Sequence, residues 1–255
     1  MDKLKIMAIF GLVIFLASPA WAVKGEKLNG TKVVQDQVAV LRAQINTNTE
    51  EICALYDLID PAKAPMYCGH YRVVFLSSQS HDGDFGGLSG ADTICQNLAD
   101  NAGLPGTYMA WMSSESMGPV NRFNLSQYPY VMPQTHPFDP ENVLAVAADW
   151  DGLLMHDSSN LAQDLINPIM YDEYGQLVQD NLTVSTGTRG DGYPQYGSAN
   201  MYENGYNCSD WSTNSADITA TCGVAYDSFD GNWTDYDTYC IKSCAEESRL
   251  YCVQQ

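Results

Sequence analysis

Apolar side chains recur at alternating intervals of four and three residues along one N-terminal segment, residues 34–59. The positions that form this seam are Val34, Val38, Leu41, Ile45, Asn48, Ile52, Leu55 and Ile59. Such spacing places the side chains on one stripe of a helix, and its repetition over about three and a half heptads is typical of a coiled coil. We therefore predict a helix over 34–59 that associates with further copies of the chain. The alternative is an amphipathic helix that packs on its own domain.

The number of chains in this coiled coil stays open. Isoleucine at one core position with leucine at the other favours a dimer, whereas Asn48, the one polar member of the seam, is also compatible with a trimer. The helix is predicted to end at "DPAKAP", because Pro61 and Pro65 cannot continue it. This break separates an N-terminal segment, 23–63, from a second domain, 64–255.

The second domain opens with short runs of alternating apolar and polar residues instead of a helical repeat. The runs at 71–78 and 107–114 predict β-strands, and the run at 250–253 predicts a third. Gly, Asn, Asp, Ser and Tyr dominate the long middle of the domain, 115–235, where strand-like pieces lie among turn residues. The pattern predicts a mixed α+β domain with long loops.

A helix is predicted between the first two strands. Its apolar positions share one face and are Ala91, Ile94, Cys95, Leu98 and Ala102. The spacing of Ser89 and Asp92 indicates a capping box at its start, and Gly103 is a suitable residue just beyond its end. Cys95 therefore lies on the buried face of this helix.

The first 22 residues combine a basic start, an apolar run and small residues before a cleavage position after Ala22. This composition predicts a signal peptide over 1–22, with an uncleaved membrane anchor as the alternative. The chain is accordingly expected to be exported, to the medium, the cell surface or the periplasm. All eight cysteines follow the cleavage position, and an even number of cysteines in an exported chain indicates disulfide bonds.

The second domain is strongly acidic. From residue 64 onward, five basic residues stand against 24 Asp and Glu residues, a balance of 5 − 24 = −19. Such a surface repels nucleic acid, heparin-like polyanions and anionic lipid headgroups. The alternative is that the charge serves solubility alone.

The motifs of this domain resemble those of one family. They are "FLSSQSHDGDFGGLSGADTICQNLADNAGLPGTYMAWMSS", "VAADWDGLLMHDSSNLAQDLINPIMYDEYGQL" (146–177), "VSTGTRGDG" (184–192), "NCSDW" (207–211) and "RLYCVQQ". In this order they resemble the DUF1554 domain of bacterial exported proteins, over roughly residues 67–255. That family is similar to endostatin and includes the leptospiral endostatin-like surface proteins. The resemblance implies a C-type-lectin-like fold, in which the first and last strands pair and a long loop region lies between them.

The resemblance also implies a set of disulfide bonds. Cys95 on the first helix would pair with Cys252 on the last strand. Cys208 would pair with Cys240 or Cys244, and Cys222 would take the one that remains. Cys53 lies outside the range of the resemblance, before the proline break, and Cys68 lies after the break, so the two could bond to each other. Without the resemblance, eight cysteines allow 105 connectivities.

Catalysis is not expected from the sequence. The four histidines, His70, His81, His136 and His156, show no spacing that marks a metal site or a catalytic motif.

Calcium is considered because of the acidic stretches 138–143 and 228–237, but the lectin signatures Glu-Pro-Asn and Trp-Asn-Asp are absent, and solvated turns are the favoured interpretation. We therefore assign no cofactor and no metal ligands. The tripeptide "RGD" at 189–191 is interpreted as a chance occurrence.

One aromatic-rich stretch, 192–211, is the candidate binding region. Its rings are Tyr193, Tyr196, Tyr202, Tyr206 and Trp211, separated by Gly, Ser and Asn. Rigid rings among small polar residues suit the recognition of a protein or a glycan, although such rings also fill loop cores. The sequence predicts an exported, non-enzymatic binding or adhesion protein; by the resemblance, leptospiral members bind extracellular-matrix and complement-regulator proteins. The alternatives are a structural subunit of a bacterial surface assembly and, less favoured, a secreted hydrolase.

Overall fold

The computed structural model describes residues 71–133, 144–154, 165–195, 206–229, 231–236 and 240–255, together with scattered positions between Gln37 and Leu58. The predicted signal peptide and the predicted break at Pro61 and Pro65 lie outside the described residues. The chain divides into two compact units, Met1–Asn48 and Thr49–Gln255.

The described N-terminal positions are helical. In the first unit they are Gln37, Val40, Leu41, Gln44, Thr47 and Asn48, and in the second unit they are 51–55 and Leu58. Three apolar residues of the predicted seam, Leu41, Ile52 and Leu55, are exposed within the single chain. Cys53 is disulfide-bonded, and its predicted partner Cys68 lies outside the described residues.

The head, by which we mean the described residues 71–255, contains eight strands. They are β1 (Arg72–Leu76), β2 (Tyr108–Ala110), β3 (Tyr130–Val131), β4 (Ala145–Ala147), β5 (Thr183–Ser185), β6 (Thr219–Val224), β7 (Ile241–Ser243) and β8 (Tyr251–Gln254). Its helical elements are α1 (Gly87–Ala102), α2 (Pro119–Arg122), a 3₁₀ turn (Asp151–Leu153) and a single turn (Cys208–Trp211). The head is therefore a mixed α/β domain, as the sequence predicts.

The strands form two sheets. The first has five strands in the order β2-β8-β1-β3-β4, and the second has three strands in the order β5-β6-β7. β8 lies between β1 and β2 and is antiparallel to both, with Cys252 opposite Phe75 on one side and Ala110 on the other. The last strand of the chain therefore occupies an interior position in the main sheet.

The main sheet is buried on both faces. In β1, Val74 and Leu76 contact an aromatic cluster built around Trp111, whereas Val73 and Phe75 belong to a second cluster that includes α1. Alternate residues of a strand point to opposite faces, so a strand that is covered on both sides has a continuous apolar run. This explains why "RVVFL" lacks the polar alternation of a surface strand.

The start of α1 corrects the predicted capping box. The helix begins two residues before Ser89, Gly86 occupies the N-cap with φ 76°, and no side chain caps the first turn. A positive φ costs glycine little, so the two residues Gly86 and Gly87 turn the chain into the helix. Asp92 has another role, because its Oδ1 accepts a hydrogen bond from the Ala110 N–H at 2.9 Å. Gly103 has φ 72° at the C-cap, as predicted.

Three disulfide bonds lie within the head. Cys95 on α1 is bonded to Cys252 on β8 across a sequence separation of 157 residues. Cys208 is bonded to Cys244, and Cys222 is bonded to Cys240. These pairings are among those that the resemblance implies, and they select Cys244 as the partner of Cys208. The first joins the helix to the last strand, and the other two lie within the second half of the chain.

Candidate binding surface

Three loop segments meet beside the second sheet: 113–118, 186–195 and 206–212. Ser113 connects them, because its N–H donates to the Thr186 carbonyl at 2.9 Å and its Oγ lies 2.8 Å from Thr188 Oγ1. The Ser113 carbonyl also accepts a hydrogen bond from Trp211 Nε1 at 2.7 Å. The exposed side chains of these segments include Glu115, Met117, Tyr193, Ser209 and Asp210, which we call the Tyr193 surface.

A closed turn presents Tyr193. The Arg189 N–H donates to the Tyr193 carbonyl at 2.9 Å, and the Gly192 N–H donates to the Arg189 carbonyl at 2.9 Å. Gly192 has φ 76°, and a Cβ at this position would lie 2.8 Å from atoms of both Leu154 and Val120. Only glycine fits this position without strain or displacement. The Tyr193 side chain remains 46% exposed on this rigid support.

The segment Cys208–Trp211 adopts a left-handed turn. Four successive non-glycine residues have φ between 51° and 62°, in the left-handed region. Each costs roughly 1–2 kcal/mol relative to a right-handed conformation, so tertiary contacts must hold the turn. The bond between Cys208 and Cys244 fixes its start, and the fully buried Trp211 fixes its end.

Polar contacts hold the middle of the left-handed turn. The Asp210 carboxylate accepts hydrogen bonds from the Glu115 N–H and from Asn207 Nδ2, both at 2.8 Å. The Asn207 carbonyl accepts the Trp211 N–H at 2.7 Å. The turn is thereby connected to the segment that carries Glu115 and Met117, and the whole surface is preorganised.

The structure separates the aromatic residues of 192–211 into different roles. Tyr193 is exposed, and Tyr206 is half-buried. Trp211 has no exposed surface and contacts Phe85 edge-on at a ring-centroid distance of 5.8 Å. This corrects the prediction for Trp211, which packs in the core and cannot contact a ligand. Tyr196 and Tyr202 lie outside the described residues.

The charges of the "RGD" tripeptide are paired with each other. Arg189 Nη2 donates to Asp191 Oδ2, and Arg189 Nε donates to Asp191 Oδ1 at 3.2 Å. A receptor that binds both the Arg189 and the Asp191 side chains would first have to break this ion pair. The chance interpretation of the tripeptide therefore remains the favoured one.

Most basic side chains of the head are withdrawn from the surface. Arg122, Arg249 and Lys242 are buried, and Arg122 and Arg249 form ion pairs with Asp92 and Asp180. Arg72, which is half-buried, has its guanidinium 5.8 Å from the centre of the Tyr128 ring. With Arg189 paired to Asp191, the field at the described surface is dominated by carboxylates.

In the described part of the chain, no group of three or more carboxylate, histidine or cysteine side chains is placed to hold a metal ion. The acidic stretch 138–143 lies outside that part, as do Asp230 and Asp237 of the stretch 228–237. His81 is described, and burial lowers its pKa although Asp82 and Glu247 act in the opposite direction.

A lysine and two serines form a cluster that the sequence analysis did not identify. Lys242 Nζ donates to Ser248 Oγ, to Ser185 Oγ at 3.3 Å and to the Glu246 carbonyl at 2.8 Å. The two serine hydroxyls are 2.6 Å apart. Neighbouring lysine and serine side chains occur in some hydrolases, but all three are buried here and a substrate has no access to them. The cluster connects β5, β7 and the segment before β8.

Burial lowers the pKa of Lys242 to about 8 from its usual 10.5, although Glu246 and Asp82 act in the opposite direction. Between these two values the unfolded chain binds more protons than the folded chain, so stability increases as the pH rises. The free energy of unfolding of the wild type, relative to Lys242→Met, should rise by about 2 kcal/mol between about pH 7.5 and about pH 9.5. Urea denaturation of both proteins at each pH measures this difference.

Other titrating groups change the free energy of unfolding equally in the wild type and in Lys242→Met, so their effects cancel in the difference between the two proteins. Burial raises the pKa of Tyr130 to about 12 and also raises that of Tyr251, and both effects lower stability above about pH 10 in either protein. A difference between the two proteins that does not change with pH would contradict the assignment.

Comparisons with known proteins do not assign this chain to a family. No protein-family model matches it, and no curated protein matches it. None of the described helices has the length and apolar character needed to cross a membrane.

Proposed function

We propose that this protein is an exported, non-enzymatic binding protein whose Tyr193 surface recognises a protein or a glycan. The observation that carries the proposal is the exposed Tyr193 ring on a turn that needs no ligand to order it. A preorganised aromatic side chain provides contact area at low entropic cost. Met117 is also exposed, and its chain neighbour Gly118 lies close to Gly192, the residue before Tyr193.

The proposal includes a C-type-lectin-like fold and the resemblance to the DUF1554 family. Two features support it: β8 pairs with β1, and Cys95 is bonded to Cys252. In addition, the second sheet and the Tyr193 surface lie between these paired strands in the sequence. Export is supported by the three disulfide bonds, which persist in oxidising compartments.

A coiled coil through residues 34–59 is the proposed means of oligomerisation. Its support is the exposure of Leu41, Ile52 and Leu55 on helical residues that the heptad pattern assigns to an interface. Several heads on one oligomer would raise a weak single-site affinity through avidity. The same observation favours the second candidate function, a structural subunit of a surface assembly that is held by this helix.

Deletion of residues 30–60 distinguishes the two candidates. The full-length protein and the deletion variant are applied to an array of glycans and extracellular-matrix proteins. The binding proposal predicts that the variant keeps the ligand of the full-length protein at lower apparent affinity. The structural candidate predicts that neither form binds and that the full-length protein is recovered with partner subunits. Turnover of a polysaccharide or ester substrate would instead support the hydrolase alternative.

A further inference from the structure

A second apolar surface lies on a turn outside the Tyr193 surface. Tyr226 and Phe229 are three residues apart on this turn, and their side chains are 54% and 62% exposed. Ile166 is 59% exposed, and its segment runs beside this turn, because the Leu165 N–H donates to the Ser228 carbonyl at 2.9 Å. We call Ile166, Tyr226 and Phe229 the apolar turn surface.

The turn that carries the two rings is well supported. The Asp227 carboxylate accepts the Phe229 N–H at 2.9 Å and Asn232 Nδ2 at 3.0 Å. The fully buried Ala225 anchors the turn, and its N–H donates to the Leu182 carbonyl at 2.8 Å. Large apolar side chains that are held exposed on an ordered turn are typical of an interaction site. Binding there loses little conformational entropy.

Charge complementarity indicates the kind of partner. Asp227 lies between Tyr226 and Phe229 in the sequence and gives this turn a half-buried carboxylate, and the faces of aromatic rings attract cations. The basic side chains of the described head are buried, ion-paired or, for the half-buried Arg72, stacked on a tyrosine ring. The head therefore supplies this surface with little positive charge, and its field draws cationic partners toward it.

We propose that the apolar turn surface docks a basic segment of another protein, in which lysine or arginine residues lie next to large apolar residues. The apolar residues of the partner cover Ile166 and Phe229. Its cations lie against the Tyr226 ring and the Asp227 carboxylate. This surface is separate from the Tyr193 surface, so the inference does not depend on the function proposed above.

The test measures binding of the full-length, disulfide-bonded protein to synthetic peptides. One peptide contains lysine, leucine and glycine, and matched peptides carry glutamine or glutamate in place of lysine. We expect binding to the lysine peptide that weakens with added salt. The double variant Tyr226→Ser/Phe229→Ser should lose about ten-fold or more in affinity. The control Leu125→Ser removes an equally exposed apolar residue, 66% exposed, and should leave the affinity unchanged.

A second variant keeps both rings. Ser228→Lys adds a cation to the turn, between the two aromatic residues in the sequence. It should weaken binding of the lysine peptide by a similar factor and leave the thermal unfolding midpoint unchanged. If the double variant fails to fold, Ser228→Lys decides the question. Equal binding by the wild type and these variants would overturn the proposal, as would equal binding of the glutamine peptide. The surface would instead be a sugar site if the wild type bound a neutral oligosaccharide such as cellohexaose but not the lysine peptide, and if the double variant no longer bound that oligosaccharide.

Discussion

Removal of residues 249–255 is expected to abolish the cooperative unfolding of the head. The deletion removes β8 from between β1 and β2 and exposes both neighbouring strands. It also removes four buried apolar residues, Leu250, Tyr251, Cys252 and Val253. Each such side chain contributes about 1.5–3 kcal/mol, and the lost disulfide bond contributes roughly 2–4 kcal/mol. Together these losses approach or exceed the total stability of a typical domain, about 5–15 kcal/mol.

The deleted segment also carries Arg249, whose side chain connects several elements. Arg249 Nη1 donates to the Ser77 carbonyl at 2.7 Å, Nε donates to the Asn181 carbonyl at 3.0 Å, and Nη2 donates to Asp180 Oδ1 at 3.0 Å. These bonds join the end of β1 to the segment before β5. Loss of Arg249 leaves the carbonyl of the fully buried Ser77 without this donor, which adds to the cost.

Calorimetry and near-ultraviolet circular dichroism of the deletion variant measure this effect. Two control variants separate its causes. Cys95→Ala/Cys252→Ala keeps the strand but not the disulfide bond, and it should unfold cooperatively at a lower temperature. Deletion of Gln255 alone removes a half-buried residue and should shift the midpoint by only a few degrees. A cooperative transition in the variant that lacks 249–255 would contradict the role of β8.

Arg122→Met is expected to destabilise the head by about 2–4 kcal/mol, which lowers the unfolding midpoint by roughly 6–12 °C. Arg122 Nη2 donates to both carboxylate oxygens of Asp92 at 2.7 Å, and Nη1 donates to the carbonyls of Ala110 and Met112 at 3.2 and 2.9 Å. The side chain is buried and joins α1, β2 and α2. Its removal leaves two carbonyl groups and a partly buried carboxylate without their cation, and this drives the loss.

The exposed pair Arg189–Asp191 provides the matched control. Arg189→Met removes the same side chain from a pair at the surface and should cost no more than about 1 kcal/mol. The double variant Arg122→Met/Asp92→Ala should be more stable than the sum of the two single losses predicts, because the orphaned carboxylate is also removed. Equal midpoints for Arg122→Met and Arg189→Met would contradict the structural importance of Arg122.

The elements with strong local patterns were predictable from the sequence. β1, β2, α1 and β8 each appear where a short apolar run or helical spacing indicates them. The capping box failed because Ser89 and Asp92 match a local motif, whereas Arg122, thirty residues further on, engages Asp92 instead. A motif of four residues cannot reveal a partner that the tertiary fold supplies.

The other strands of the head were less predictable for a related reason. β3, β4, β5 and β7 have only two or three residues each, too few to show a period, and long-range pairing defines them. The left-handed turn at Cys208–Trp211 opposes local preference and depends on the bond to Cys244 and on Ser113. Trp211 was therefore assigned to the candidate binding region, with packing in a loop core as the alternative, and the fold buries it. Met117 belongs to the Tyr193 surface but was not among the predicted binding residues. Its isolation among polar residues in "SSESMG" was the feature of the sequence that could have indicated its exposure.

Ligand binding by two matched tyrosine variants tests the proposed binding function most directly. Tyr193→Ser removes the exposed ring of the Tyr193 surface, and Tyr174→Ser removes a ring that is 49% exposed on a different turn. Both are applied to the array of glycans and extracellular-matrix proteins beside the wild type. We predict that Tyr193→Ser weakens binding of the wild-type ligand about ten-fold or more, whereas Tyr174→Ser binds as the wild type does. Equal binding by all three proteins, or no ligand for the wild type, would contradict recognition through the Tyr193 surface.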